Sequence, residues 1–415
     1  MRLFLALGVL ALAGCSPVPG GNDGCVPITC EALGFTCGVI DDGCRGNIDC
    51  GPCGDGGLPD PDGGTLPDGG TCTAESHASF CARYARACGT FDGIDNCGNQ
   101  RTGDCGACNF PDRCSDAGTC GCTPKSCADV GRACGEAYVG CGQYLNCGPC
   151  DGGASPPPHP LRVTSANLSS GNLQSYDPGE GTRILQGLKP DVVLLQEFHY
   201  GNKTDADARK WVDLAFGEFF FYREPRALPN GVISRYPIVA SGTWADSSVS
   251  NRGFAWARID VPGPTDLWAV SLHLLTSNAS ARNTEAQELV AFINANVPAG
   301  DYLVLGGDLN TGSRSEACIN TLAGVVYTAA PYPVDQANNS NTNASRATPL
   351  DWVLADNDLR ARQVPLVLGA NSFTNGLVFD TRVYTPISDA APAIALDSAA
   401  TGMQHMAVSK QFSLP

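Results

Sequence analysis

Asp308 and Asn310 close the stretch Tyr302 to Asn310, YLVLGGDLN, and their types and spacing could do chemistry. A carboxylate and an amide two positions apart offer one anionic acceptor and one group that both donates and accepts. Such a pair can hold a water or a phosphate oxygen beside a metal ion. The same nonapeptide also fits a strand followed by an ordinary Asp/Asn turn, so the rest of the chain must decide. Polar residues recur at the edges of other apolar runs. Asn167 follows LRVTSA, Gln196 and Glu197 follow DVVLL, and His273 ends VSLH; Asp351 opens DWVL, and His405 precedes MAVSKQF. A buried strand that ends on a carboxylate, amide or imidazole signals a site when it recurs.

These residues need elements to carry them. Tyr302 to Leu305 suits a strand covered on both faces. Gly306 and Gly307 then remove side-chain bulk, so backbone or ligand can come close. On extended chain, Asp308 and Asn310 would share a face. The same patterning predicts strands at Leu161–Ala166, Asp191–Leu195, Phe219–Tyr222, Gly231–Ser234, Phe254–Ile259, Leu267–Leu272, Pro349–Leu354 and Met406–Phe412. Helices are predicted at Thr182–Leu188, Ala206–Phe216 and Thr284–Asn294, the last with Leu289, Val290, Phe292 and Ile293 as its apolar stripe. Many strands with few helices favour two packed sheets with flanking helices over a doubly wound sheet.

The chain before residue 161 is written differently. Of the 22 cysteines, all but Cys318 lie there. Cys25, Cys30, Cys37, Cys44, Cys50 and Cys53 have a spacing that Cys122, Cys127, Cys134, Cys141, Cys147 and Cys150 repeat unchanged. A looser copy runs through Cys72, Cys81, Cys88, Cys97, Cys105 and Cys108, followed by a further pair, Cys114 and Cys120. Three repeats result, at 25–53, 72–120 and 122–150. Linkers 54–71 and 151–160, rich in Gly, Pro and Asp, set them off from a domain spanning 161–415. His159, in the second linker, has no evident role.

Met1 and Arg2 precede an apolar run, Leu3 to Ala13, that is too short to span a bilayer and reads as an export signal. It ends in Leu12-Ala13-Gly14-Cys15, which resembles the lipobox of bacterial lipoproteins. That resemblance implies loss of 1–14, a lipidated Cys15 and a tether over 15–24. In an oxidising compartment the even cysteine sets predict disulfides, up to three per repeat and one for the extra pair. Cross-links would supply the stability that units this small cannot bury. Zinc at the C-x2-C pairs is the rival and needs reduced thiolates. Connectivity cannot be deduced, and the repeats suit either an unknown ligand or a passive stalk. The net charge of −16 weighs against tight non-specific binding of nucleic acid through a basic surface. It does not exclude a nuclease with a local metal-dependent cleft.

The ordered set Asn167-Leu168, Gln196-Glu197, Ser271-Leu272-His273, Gly307-Asp308-Leu309-Asn310, Leu350-Asp351-Trp352 and His405-Met406-Ala407-Val408 resembles the endonuclease/exonuclease/phosphatase superfamily, over Leu161 to Phe412. The resemblance implies an α/β fold, the DNase I-like four-layered α/β sandwich, hydrolysing phosphate esters with magnesium, or with manganese or calcium in its place. Carried over by position, Glu197 would be the principal metal ligand, with Asn167 beside it. His405 would be the general base and Asp351 its orienting partner. Asp308 and Asn310 would position water and phosphate, while His273 would donate to a phosphoryl oxygen or protonate the leaving group. Arg282, opening a helix soon after His273, could contact phosphate or sit as a solvated helix-end arginine. One departure stands out: Gln404 occupies a position that is commonly aspartate, which removes a negative charge from the metal site.

The expected protein is therefore a monomeric, extracytoplasmic phosphodiesterase held on the bacterial envelope by its N-terminal lipid, with external DNA as the leading substrate. A lipid or small-molecule phosphoesterase is the alternative. A third possibility, favoured by Gln404, is an inactive domain that only binds.

Overall fold

Apolar runs bounded by glycine and polar residues form strands that bury both faces, and amphipathic segments form helices that cover them. The computed structural model describes residues 39–41, 47–49, 72–150, 157–169, 176 and 179–415. The export signal, Cys15, the tether, most of the first repeat, linker 54–71 and residues 151–156 lie outside the described residues.

Two sheets make the α/β domain. The first runs, in spatial order, Phe220–Arg223, Gly231–Ser234, Val192–Gln196, His159–Asn167, Ala407–Leu414 and Gln363–Val364, with Leu377–Phe379 also pairing with Ala407–Leu414. The second runs Ile238–Trp244, Phe254–Ile259, Leu267–His273, Tyr302–Asp308 and Asp351–Ala355. Their inner faces share one core: Val163, Val193 and Leu195 from the first meet Ala257, Ala269, Val304 and Val353 from the second. Helices Glu180–Leu188 and Asp205–Phe216 pack Ile184, Leu185, Trp211 and Val212 into the same core from outside. On the far face of the second sheet, Leu289 and Ile293 of helix Ala279–Asn296 meet Val270, Leu303 and Leu305. Side chains alternate along each strand, so Leu303 and Leu305 face outward while Val304 faces inward. The result is the expected four-layered sandwich.

The sequence pattern missed the edge strand Ile238–Trp244, whose side chains are mostly exposed or half-buried and so carry little apolar alternation. It also began the long helix late. Asn278 accepts from the amides of Ser280 and Ala281 and starts the helix at Ala279, ahead of the apolar stripe.

Two compact units divide the chain. One contains the middle repeat through Cys108 together with Cys114–Cys120, and the other comprises Asn109–Arg113 and Gly121–Pro415. In the first unit, Cys72–Cys97 and Cys81–Cys105 are bonded, and Cys88 and Cys108 bond to Cys114 and Cys120 respectively. Cys114 and Cys120 therefore do not close on each other as expected. They sit in a small paired hairpin, Arg113–Cys114 with Cys120–Gly121, that relays the repeat's third and sixth cysteines. The third repeat joins those equivalents directly, as Cys134–Cys150, beside Cys122–Cys141 and Cys127–Cys147.

The third repeat packs within the second unit. Tyr138 and Tyr144 lie against the sandwich core, Tyr138 edge-on to Tyr236 at 5.6 Å. The Tyr144 hydroxyl donates to the Asp260 carbonyl at 2.5 Å. Arg132 reaches His159 Nε2 at 2.9 Å, and His159 opens the first strand rather than ending a linker. Burial, with Arg132 beside it, pulls His159 down to about 4, which leaves its ring free to accept that bond.

Candidate active site

Strand register gathers the site. In the second sheet His273 pairs with Asp308, and Asp308 with Asp351, so one row across three strands carries an imidazole and two carboxylates. In the first sheet Asn167 pairs with Gln196, and Glu197 follows at once. Gly306 and Gly307 permit this approach. A Cβ on Gly307 would lie 1.8 Å from the Leu272 carbonyl oxygen, and one on Gly306 2.5 Å from Leu194 Cδ1 across the core. The sheets are also joined below the site, where Gln196 Nε2 donates to Ser271 Oγ at 2.9 Å and Ser271 Oγ donates to the Leu195 carbonyl at 2.9 Å.

At the centre stands Asp308 Oδ2. It lies 3.3 Å from His273 Nε2, 3.6 Å from His405 Nε2 and 3.1 Å from Asn167 Nδ2. Asn167 Nδ2 also lies 3.3 Å from Glu197 Oε1, so one amide bridges two buried carboxylates. His405 Nδ1 lies 3.1 Å from each oxygen of Asp351. Asp351 is itself steadied by its amide donating to Thr342 Oγ1 at 2.7 Å.

The two imidazoles differ in protonation. Burial alone would depress His405, but Asp351, Asp308 and Glu197 outweigh it and push the ring up to about 9. Burial dominates at His273 and pulls it down to about 4, with Arg252 and His405 adding to the effect against Asp308. His405 is thus a cation and His273 is neutral.

The expected residues come together with three qualifications. Asn310 does not continue the strand. Its φ is 50°, and it folds back so that Nδ2 donates to the Leu274 carbonyl at 3.0 Å and to Asp308 Oδ2 at 3.3 Å. Arg282 is a correction: it is buried, with Nε and Nη2 on Glu316 Oε2 at 2.9 and 2.7 Å and Nη1 on the carbonyls of Leu275 and Thr276. A guanidinium engaged in this way holds a turn rather than a phosphate. Gln404 is exposed, beside the buried His405.

Sequence reasoning missed the grip on the turn after His273. Arg252 Nε donates to the His273 carbonyl at 2.5 Å and Nη2 to the Leu274 carbonyl at 3.0 Å. The Leu275 amide donates to Glu285, whose carboxyl burial pushes up to about 8. With Asn310 and Arg282 these side chains fix the backbone of four consecutive residues. The signal for it was slight: a lone arginine in SNRGF and a glutamate inside a helix.

Hard oxygen donors fit a divalent cation. Among the described residues, Asp308, Asp351 and His405 offer atoms within 4.8 Å of one another. Within that group both oxygens of Asp351 are engaged by His405 Nδ1. Asp308 also meets Glu197 through the Asn167 amide, which brings a further carboxylate beside that group. Together, a two-sheet sandwich and a row of carboxylates, amides and imidazoles at its strand ends define a hydrolase-like site.

The Endonuclease/Exonuclease/phosphatase family profile matches residues 165–389, more than half of the chain, and the chain belongs to that family. Sphingomyelinase C of Bacillus cereus is 28% identical over 218 residues, 44% of this chain and 62% of the relative, so the chain spans less than two thirds of that protein's length. Among solved structures, an endonuclease/exonuclease/phosphatase from Beutenbergia cavernae is 17% identical with a TM-score of 0.43, covering 62% of this chain and 72% of its own. Sphingomyelinase C from Streptomyces griseocarneus is 18% identical with a TM-score of 0.38, covering 62% and 100%.

Proposed function

We propose that the chain is a divalent-metal-dependent phosphodiesterase whose substrate is a phospholipid headgroup ester. The observation that carries this is the array of His405, Asp351, Asp308 and His273 beside the Glu197–Asn167 pair. Asp351 holds Nδ1 of His405, which leaves Nε2 to take the proton of the attacking water. Asn310, with Nδ2 on the Leu274 carbonyl and on Asp308 Oδ2, holds the Asp308 carboxylate in place. Neutral His273 acts by donating a hydrogen bond from Nε2 rather than by giving up a proton. A divalent cation bound at Glu197 and Asp308 would polarise the phosphoryl oxygen and offset the charges that keep His405 protonated.

The sphingomyelinase relative and the net charge of −16 favour a lipid headgroup over nucleic acid. Export and lipid anchoring at Cys15 belong to the same proposal, since an anchor holds the site at a membrane surface. The test is hydrolysis of sphingomyelin vesicles, plasmid DNA and bis-p-nitrophenyl phosphate by the full chain, with magnesium or EDTA. Vesicles and the small diester should be cut only with magnesium, and Glu197→Ala or His405→Ala should cost about a thousandfold or more. Cleavage of DNA without vesicles would make nucleic acid the substrate. Silence on all three would leave a binding domain.

A further inference from the structure

His405 and Asp351 work as a pair, yet they are carried by different sheets. Asp351 opens a strand of the second sheet, and His405 stands two residues ahead of Ala407, where a strand of the first begins. Ladder register fixes each within its own sheet and leaves the spacing between the sheets to something else. One residue touches both backbones. Thr342, 1% exposed, accepts the Asp351 amide on Oγ1 at 2.7 Å and the Met406 amide on its carbonyl oxygen at 2.7 Å. Its neighbours hold the same short run: Asn343 forms an antiparallel bridge with His405, and the Ala344 amide donates to the Gln404 carbonyl at 2.8 Å.

Thr342 lies outside any helix or strand, so its own place must be fixed by side chains. Arg346 does this. Its Nε donates to the Asn341 carbonyl at 2.8 Å and Nη2 to the Asn339 carbonyl at 3.1 Å, while Nη1 meets Asp335 Oδ2 at 2.7 Å and Asp380 Oδ2 at 2.8 Å. Both carboxylates are buried, where water and salt screen the pairs least. The Thr342 amide closes the loop on the Thr348 carbonyl at 2.9 Å. We infer that Thr342 is a positioning residue that sets the distance between His405 and Asp351, carried on a loop that Arg346 folds into a clasp between the two sheets. Thr342 acts through those two residues and not on the substrate. Its catalytic consequence rests on the phosphodiesterase reading above, since a general base displaced by about 1 Å can lose a hundredfold; the clasp itself does not rest on that reading.

Thr342→Val keeps the shape of the side chain and removes the acceptor for the Asp351 amide, whereas Thr342→Ser keeps the acceptor. On bis-p-nitrophenyl phosphate with magnesium, Thr342→Val in the full chain should lose about tenfold to a hundredfold in kcat with KM unchanged, and Thr342→Ser should recover most of it. An unchanged kcat in Thr342→Val, a loss carried by KM, or a serine variant as slow as the valine variant overturns the inference. Amide exchange in the unaltered chain supplies a reading that needs no activity. The Asp351 and Met406 amides, both held by Thr342, should exchange slowly and within about tenfold of each other, as groups released by one opening. Fast exchange of either, or widely different rates, overturns the clasp even where Thr342→Val fails to fold. Slow, matched exchange in a chain that cuts no diester upholds the clasp and sinks the phosphodiesterase reading alone.

Discussion

The middle and third cysteine repeats share a cross-linking scheme and differ in where their aromatic side chains point. In the middle repeat Phe80 is fully buried, stacked on Phe91 at 5.0 Å, with Tyr84 edge-on to both. Arg83, Arg86 and Arg101 lie over these rings, so the repeat closes on a small core of its own. The third repeat directs Tyr138 and Tyr144 at the sandwich. In the first repeat, whose spacing is identical, those two positions are Asp41 and Asn47. Disulfides therefore frame both of the described repeats, and the aromatic side chains on that frame set whether a repeat closes on itself or packs against the sandwich.

The sharpest way to break this comparison is reduction. With dithiothreitol the middle repeat should lose all structure, since four bonds each worth about 2–4 kcal/mol hold it. The sandwich, whose single cysteine Cys318 is a free buried thiol, should stay folded. Limited proteolysis read by mass spectrometry distinguishes the two, and simultaneous loss of both would refute the contrast. Next in size, Tyr138→Ala with Tyr144→Ala should destabilise the sandwich by about 3 kcal/mol, whereas Phe80→Ala should unfold the middle repeat and leave the main transition unmoved. Calorimetry reads both, and equal shifts would mean that the aromatic residues do not set the difference.

A pH titration sharpens the contrast from the sandwich side. In EDTA, His405 has a folded value of about 9 against 6.5 unfolded, so its contribution is full below pH 6.5 and is lost as pH rises towards 9. His273 is held near 4, so its contribution is present above 6.5 and is lost as pH falls towards 4. Sandwich stability should peak near pH 6.5, each flank falling by on the order of 2 kcal/mol, and a flat urea midpoint from pH 5 to 8 would contradict it. The smallest effect is Tyr144→Phe, which removes the bond to Asp260 and should cost about 1 kcal/mol by the same urea assay.

Much of the hydrolase was legible because its strands are apolar runs that end on polar residues, and the site sits at those ends. Gly231–Ser234 and Phe254–Ile259 begin and end where the pattern placed them. What escaped depends on tertiary contact. Arg252 and Glu285 look like ordinary surface charges until the turn after His273 folds between them. Asn310 turns back because its amide finds Leu274, a residue 36 positions away. Tyr138 and Tyr144 read as residues of their own repeat, and the relay through Cys114 and Cys120 is one of many pairings that spacing allows.

The row His273–Asp308–Asp351 has a further consequence. A slip of one residue in any of these strands turns its side chain to the opposite face, so the hydrogen-bond ladder is the ruler that sets spacing in the site. Loops around the rim can be lengthened, exchanged or lost without touching that ruler. Changes in the rim loops would thus alter what the site admits, while the three strands keep the spacing of its polar row.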